Sequence, residues 1–286
     1  MSYGRGDTLM NNITDLPSFC APPVDEVAIA VQFQGIDRFS LAYGTFYESV
    51  RERLPEFEEH DPIAIQFETF GRPRDQLPEF SLEAFSLRRG WYVSADGHKV
   101  VQLQPNRLVQ NWRRQSGVGE YPRFPAVLTE FWNSFEALES VTRGLGLAMP
   151  EINQADVTYF NNIELFEGET YPEAFQRVFE WPSVGGLSGE ANGFRLEPEA
   201  CNLSFRARVF APDAEAPCAR LVATAEPSET EDGKKIVRFW LRFRGPPTHI
   251  DRDGLERFLL VGRVAIVKSF TDLTSKVCHT LWQRER

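Results

Sequence analysis

Strict alternation of apolar and polar side chains is the feature that most constrains how this chain can fold. In segment 235–244 one set of alternate residues is large and apolar, and the other set is basic or aromatic. The apolar set is Val237, Phe239, Leu241 and Phe243, and the other set is Arg238, Trp240, Arg242 and Arg244. Successive side chains of a β-strand point to opposite faces of its sheet. The segment is therefore predicted to be a half-buried strand that gathers its guanidinium groups on one face.

The same alternation predicts further strands, several of them joined by tight turns. It occurs over residues 27–33, 157–165 and 203–209. Asp96-Gly97 and Asp232-Gly233 each separate two alternating runs, which is the strongest short-range signal of a β-hairpin. Region 56–85 lacks clear periodicity, so we expect a long loop there with one strand at Ile63–Phe70.

Two long amphipathic helices are predicted from apolar residues at helical spacing. One begins after Pro122 and ends at Gly144, and the other begins at Asp251 or Asp253 and closes the chain. Both halves of the sequence therefore follow the order strand, helix, several antiparallel strands, long helix. We expect an α+β fold in which helices pack on one face of an antiparallel sheet, built from two pseudo-repeated halves.

The same pattern gives the expected boundaries. Residues 1–20 are polar and predicted to be a flexible tail. Residues 21–150 form the N-terminal β-α-β-β-β-α half and residues 151–286 the C-terminal β-α-β-β-β-α half, and the two are expected to make one compact unit.

Charge and cysteine content narrow the possible functions. The formal net charge of −10 makes binding to nucleic acid unfavourable, because phosphate is repelled by an acidic protein. The four cysteines, Cys20, Cys201, Cys218 and Cys278, have no metal-ligand spacing, so no metal or cofactor is expected. No signal peptide and no apolar window long enough for a membrane span occur, and we therefore expect a cytoplasmic protein with reduced thiols.

An arginine stripe is the first candidate binding surface. Alternation places Arg206 and Arg208 on one face of the strand at 203–209, and it places Arg238, Trp240, Arg242 and Arg244 on one face of the strand at 235–244. The stripe consists of Arg206, Arg208, Arg238, Trp240, Arg242 and Arg244. Arginine binds carboxylates and phosphates through paired hydrogen bonds, so the stripe is expected to bind an acidic partner or a small anion. A solvated face whose arginines pair with neighbouring glutamates is the alternative.

A polar cluster in segment 100–113 is the second candidate. It consists of Gln102, Gln104, Arg107, Asn111, Trp112 and Arg113. Amides and arginine beside an aromatic ring are suited to lining a polar pocket. The alternative is structural, with Gln104-Pro105-Asn106 forming a strand corner and Arg107 and Asn111 capping loop carbonyls.

Four short motifs and a closing segment carry a resemblance to a known family. The motifs are Pro22-Pro23-x-x-Glu26-Val27, Gln102-Leu103-Gln104-Pro105-x-Arg107, Asn111-Trp112-Arg113 and Tyr121-Pro122-Arg123, and the closing segment has Phe270-x-x-Leu273-Thr274 and His279. From about Ala21 onward, the chain resembles a sporadically distributed family of uncharacterised bacterial proteins of this length. That family has an Ala-His-Glu-like step in its last helix, where this chain has Val264-Ala265-Ile266, so no catalytic histidine is expected there. The resemblance implies an architecture and no activity.

The sequence contains no motif or residue spacing that indicates a catalytic nucleophile, a general base or a metal site. We therefore expect a cytoplasmic binding or interaction protein with no catalytic residues and no cofactor. It would bind a protein partner or a second copy of itself, as one component of a sporadic defence or toxin–antitoxin-like module. The alternative is a small-molecule-binding domain with hydrolase-like activity, whose cleft between the halves is lined by Arg107, Glu164 and Arg195. A homo-oligomeric structural subunit is the third possibility.

Overall fold

The computed structural model describes residues 16–70, 88–115, 119–180, 189–191, 194–196 and 199–286. The strands are β1 (Val24–Phe33), β2 (Glu56–His60), β3 (Arg89–Val93), β4 (Lys99–Gln104), β5 (Arg107–Arg113), β6 (Ile152–Glu164), β7 (Gly189–Ala191), β8 (Phe194–Leu196), β9 (Leu203–Phe210), β10 (Pro217–Glu229) and β11 (Lys235–Gly245). The helices are α1 (Ser40–Val50), α2 (Phe124–Gly144), α3 (Tyr171–Val178), α4 (Arg252–Leu273) and α5 (Lys276–Leu281). Most of the expected tail, residues 1–15, lies outside the described residues.

Nine of these strands form one antiparallel sheet, in the order β2-β3-β4-β5-β1-β6-β11-β10-β9. The pairing of β1 with β6, which we call the central seam, joins the two halves of the chain, with Val27 opposite Tyr159 and Ala30 opposite Asp156. Outward from the seam the strands follow as β1-β5-β4-β3-β2 on one side and as β6-β11-β10-β9 on the other. The α+β fold with an antiparallel sheet is therefore confirmed, whereas the pseudo-repeat of the two halves stays a prediction.

The helices pack on one face of the sheet, which we call the inner face. Alternate residues of β1, Val27, Ile29 and Val31, are fully buried there. They belong to the same apolar cluster as Phe131 of α2 and Leu259 of α4. Burying a side chain of this size stabilises the fold by about 1.5–3 kcal/mol. The opposite, outer face carries the other half of each alternating strand.

The ends of the helices are set by local capping. Asp251 begins α4, because its Oδ1 accepts a hydrogen bond from the backbone N–H of Gly254 at 2.7 Å. Thr170 and Glu173 form a capping box at the start of α3. No helix in the described part of the chain is both long and apolar enough to cross a membrane.

Both predicted hairpin turns are confirmed. Gly97 lies between β3 and β4 with φ +73°, and Gly233 lies between β10 and β11 with φ +78°. Glycine adopts this left-handed conformation without the steric cost that a Cβ atom imposes.

The expected strand at Ile63–Phe70 is wrong. The strand in this region is β2, at Glu56–His60, and residues 61–70 leave the sheet and run across its outer face. Pro62 has no N–H group to donate to a ladder. Three glutamine side chains of the sheet bind the backbone N–H groups of this segment instead, at residues 63, 66 and 68.

The close approach of α4 to β11 gives a first prediction. A Cβ atom at Gly262 would lie 2.7 Å from Cδ1 of Phe243, which is fully buried. Gly262→Ala is therefore expected to lower the free energy of unfolding by about 1–3 kcal/mol, more than the ~1 kcal/mol of helix propensity that alanine adds. Urea denaturation measures the change.

Gly44→Ala in α1 is the matched control, because nothing lies within 4 Å of the added Cβ atom. It is expected to leave the protein equally stable or more stable, by up to about 1 kcal/mol. Equal stability of the two variants would show that α4 does not pack on Phe243 as described.

Candidate functional site

The arginines of the stripe lie together on the outer face of the sheet. The register places Arg208 opposite Arg220 and Arg220 opposite Arg244. Directly opposite residues of antiparallel strands share a face, so these three guanidinium groups form one row across β9, β10 and β11. Arg206 and Arg242 flank Val222 in the neighbouring row. The arginine stripe predicted from the sequence does not include Arg220, although Arg220 lies between the buried Ala219 and Leu221.

Asp156 of β6 is the counter-ion at the centre of this face. Arg244 donates to its Oδ2 from Nη2 at 2.8 Å and from Nε at 3.2 Å. Arg242 donates from Nε to the Thr158 hydroxyl at 3.0 Å, and Arg107 donates from Nη2 to Oε1 of Gln32 at 2.6 Å. Neither Arg107 nor Arg242 has a carboxylate of the described residues within ion-pair distance. Asp156 therefore interacts with three guanidinium groups, of which Arg242 also interacts electrostatically with Glu68.

The electrostatics of this group follow from its burial. Burial tends to raise the pKa of the Asp156 carboxyl, but Arg244, Arg242 and Arg107 outweigh it and hold the pKa below its usual value. Burial lowers the pKa of Arg107 to about 10 and also lowers the pKa of Arg242. Both guanidinium groups remain charged at neutral pH, so the centre of the outer face carries an excess of positive charge.

Arg107 shows this excess most directly. Its side chain is buried, with the residue 4% exposed, and its Nε has no hydrogen-bond partner. A buried charge without a paired ion or a full set of hydrogen bonds is costly. An ordered water, an ion or a ligand can supply such a missing partner.

Residues 61–70, which we call the outer strap, lie across this face and are held by a row of amides. Gln104, Gln32 and Gln154 stand in register around Arg107. Gln104 accepts from the N–H of Ile63 at 2.9 Å and donates to its carbonyl oxygen at 2.8 Å. Gln32 and Gln154 accept from the N–H groups of residues 66 and 68 at 2.9 and 3.2 Å. The sheet thus binds an extended backbone through its side chains.

The strap also brings an acidic side chain to the stripe. Arg220 donates from Nε to Oε2 of Glu68 at 2.7 Å and from Nη2 to the carbonyl oxygen of Thr69 at 3.0 Å. Its guanidinium lies 5.2 Å from the ring of Phe70. Gln66 of the strap accepts a hydrogen bond from Arg244. One carboxylate and one amide of the strap therefore engage two arginines of the stripe.

Outside the strap, the stripe remains partly open. Arg206 and Arg208 are exposed, and Arg238 and Trp240 are half-buried. Arg242 lies 5.3 Å from the ring of Trp240, within the range of a cation–π contact. Arg238 lies opposite Glu226.

The polar cluster is divided between the two faces. Gln102, Gln104, Arg107, Asn111 and Arg113 lie on the outer face, where Gln102 donates to Asn111 at 2.9 Å. Asn111 donates in turn to the carboxylate of Glu26, and Arg113 donates to the carbonyl oxygen of Gly97 at 3.0 Å.

Trp112 does not belong with the other members of this cluster. Its ring packs in the inner core, 5.4 Å from the ring of Tyr121. The period of two in β5 dictates this, because Trp112 lies between Asn111 and Arg113.

The residues expected to line a hydrolase-like cleft are not brought together. Arg107 stands in register with Gln154, whereas Glu164 is exposed at the far end of β6. Ten residues of strand separate those two positions, which is about 33 Å at 3.3 Å per residue. The side chain of Arg195 lies outside the described residues.

One histidine, His60, lies on the outer face, but at its edge in β2, where its Nε2 is 2.8 Å from Oε2 of Glu58 and its ring is 4.0 Å from that of Trp91. His279 of α5 faces inward, where its Nε2 lies 2.9 Å from the Thr274 hydroxyl and its ring packs against Phe19. Within the described residues no three His, Cys, Asp or Glu side chains are grouped so that they could hold a metal ion. The outer face offers guanidinium and amide groups, which bind and orient anions and backbone groups.

The sequence predicted the arginine stripe but not the residues at the centre of the outer face. Asp156, Gln32 and Gln154 were not expected at the site. The signal was present in β6, where Gln154, Asp156 and Thr158 alternate with Ala155 and Val157.

No protein-family model matches the sequence, and no curated protein matches it significantly. The resemblance to a sporadic bacterial family therefore stays a prediction.

Removal of the central carboxylate is a second prediction. Asp156→Asn removes the buried carboxylate that interacts with three neighbouring guanidinium groups and is expected to lower the free energy of unfolding by about 3–5 kcal/mol. Asp61→Asn, which removes the exposed partner of Arg88, is the control and is expected to change stability little.

The pH dependence follows from the depressed pKa of Asp156. Its stabilisation is present above the unfolded-state pKa of about 3.9 and is lost as pH falls through the lower pKa of the folded state. The stability difference between wild type and Asp156→Asn should be constant between about pH 5 and 8 and should shrink below about pH 4. A difference that shrank on going to alkaline pH would contradict this assignment.

Proposed function

We propose that this protein is a binding protein that recognises an extended, acidic polypeptide segment of a partner on the outer face of its sheet. The observation that supports this most strongly is the buried excess of guanidinium groups around Asp156. Arg107 and Arg242 lack carboxylate partners in the described structure, and Arg107 is almost fully buried. An incoming carboxylate would complete the charge balance.

The outer strap supports the choice of an extended polypeptide. It is itself an extended acidic segment, and the face holds it in two ways. Gln104, Gln32 and Gln154 bind its backbone, and Arg220 binds its Glu68 carboxylate at 2.7 Å. Backbone hydrogen bonds provide affinity that is independent of sequence, and the arginines provide selection for acidic side chains. The strap therefore competes with the partner for the same groups.

The chemistry of the face favours binding over catalysis. Arginine is not deprotonated in proteins, and glutamine and asparagine amides do not titrate, so these groups cannot act as a general base. We also propose a reducing, cytoplasmic location, because Cys20, Cys201, Cys218 and Cys278 are all free thiols.

Hexaglutamate is the probe that tests this proposal, and hexaglutamine is its neutral control. We expect the protein to bind hexaglutamate and not hexaglutamine in isothermal titration calorimetry. Arg242→Gln should weaken hexaglutamate binding by about tenfold or more, since a hydrogen bond to a charged group contributes about 1.5–3 kcal/mol. Glu68→Gln should strengthen binding, because it weakens the competing contact of the strap with Arg220.

Arg143→Gln on α2 is the matched control, because this exposed arginine lies in the helical layer. It should leave hexaglutamate binding unchanged.

The proposal fails if neither wild type nor Glu68→Gln binds hexaglutamate, or if Arg143→Gln weakens binding as much as Arg242→Gln. Binding of inorganic phosphate or of an oligonucleotide in place of hexaglutamate would assign the face to a different class of anion, and self-association without the peptide would assign it to a second copy of this chain.

A further inference from the structure

A cavity of about 340 Å³ lies on the opposite side of the molecule, between α2 and α4 and above the central seam. Its volume lies at the lower end of the range for small-molecule sites. Most of its wall is apolar, and the apolar residues are Pro17, Phe19, Pro22, Val24, Phe124, Pro125, Leu241, Ile266, Val267 and Phe270. The first half of the chain supplies Phe124, and the second half supplies Leu241 and Ile266. The cavity is therefore located where the two halves meet.

A small polar group lies inside this apolar wall. The hydroxyl groups of Tyr121 and Tyr159 are 2.9 Å apart, and both residues line the cavity. The positive charge of Arg263 on α4 opposes the effect of burial on the pKa of Tyr159, and its guanidinium lies 5.4 Å from the ring of Phe124. Burial raises the pKa of Tyr159 to about 12 and also raises the pKa of Tyr121, so both hydroxyls remain protonated at neutral pH, and one of them donates to the other.

The basic groups of the cavity form no ion pair with the described residues, although the Glu285 carboxylate, which also lines the cavity, interacts electrostatically with Arg123. Arg263 and Arg123 both line the cavity, and neither has a carboxylate of the described residues within ion-pair distance. Arg123 donates to the carbonyl oxygen of Phe19 at 3.0 Å. Glu285 at the rim is already engaged, accepting hydrogen bonds from Ser18 at 2.9 Å and from Cys20 at 3.1 Å.

The backbone at the cavity is strained. Arg123 has φ +71° and ψ 154°, a region that residues with a Cβ atom rarely adopt. It stands immediately before α2, whose first residues, Phe124 and Pro125, line the cavity. The strained position directs the chain so that the positive N-terminal end of α2 faces the same space.

We infer that this cavity binds a small amphipathic carboxylic acid, with an unbranched apolar chain between α2 and α4 and its carboxylate at Arg263 and the paired tyrosine hydroxyls. The volume corresponds to about eleven water-sized groups, which suits a medium-chain fatty acid. The apolar wall removes the chain from water, and Arg263 provides a charge-assisted hydrogen bond to the carboxylate.

Decanoate and decanol are the probes for this site, because they share a chain and differ in the head group. Wild type should bind decanoate at least about tenfold more tightly than decanol in isothermal titration calorimetry below the micellar concentration. Arg263→Met keeps an apolar side chain and removes the charge, so it should weaken decanoate binding by about tenfold or more and leave decanol binding unchanged. Retained decanol binding shows at the same time that this variant is folded with the cavity open.

Arg257→Met is the matched control, because Arg257 is exposed on the same helix and does not line the cavity. It should leave binding of both probes unchanged.

Ile266→Trp fills the cavity and should abolish binding of both probes, with far-ultraviolet circular dichroism as the check on folding. Failure of wild type to bind decanoate, or an unchanged ratio of decanoate to decanol affinity in Arg263→Met, would overturn the inference. Because the cavity and the outer face lie on opposite sides of the sheet, these outcomes are independent of hexaglutamate binding.

Discussion

The antiparallel pairing of β1 with β6 is the interaction on which the rest of the structure depends. Side chains alternate with a period of two, so the register of this pair decides which faces of the two halves become continuous. Ala30 opposite Asp156 and Gln32 opposite Gln154 place the polar side chains of both halves on the outer face. A shift by one residue would place Asp156 in the apolar core. The same register lets α2 and α4 lie side by side on the inner face.

The two proposed binding sites lie on opposite faces at the junction of the halves and differ in chemistry. On the outer face, Arg107 from the first half and Arg244 from the second lie near the single carboxylate of Asp156. On the inner face, Tyr121 from the first half meets Tyr159 from the second inside an apolar wall. In the two proposals, polar groups at the outer site would bind a charged chain close to solvent, whereas the inner cavity would remove an apolar chain from water.

Individual residues show how far local patterns carry a prediction. Alternation in β11 placed Arg238, Arg242 and Arg244 on one face, and the structure has them there. The same rule separates Trp112 from Asn111, so the mixed polar cluster contradicted information already in the sequence. The strap could not be found in this way, because its backbone is held by glutamines of three different strands and has no periodicity of its own.

The sequence by itself determined most of the strands, the two hairpin turns, the two long helices and the shared face of the arginines in β9 and β11, because these depend on neighbours within a few residues. Only the tertiary structure decided which strands are adjacent, and therefore that Asp156 meets Arg244 across a separation of 88 residues and that Gln66 meets Arg244 across 178. Such contacts depend on the order and register of the sheet as a whole. A local period of two specifies a face of a strand, and it does not specify the strand that comes to lie beside it.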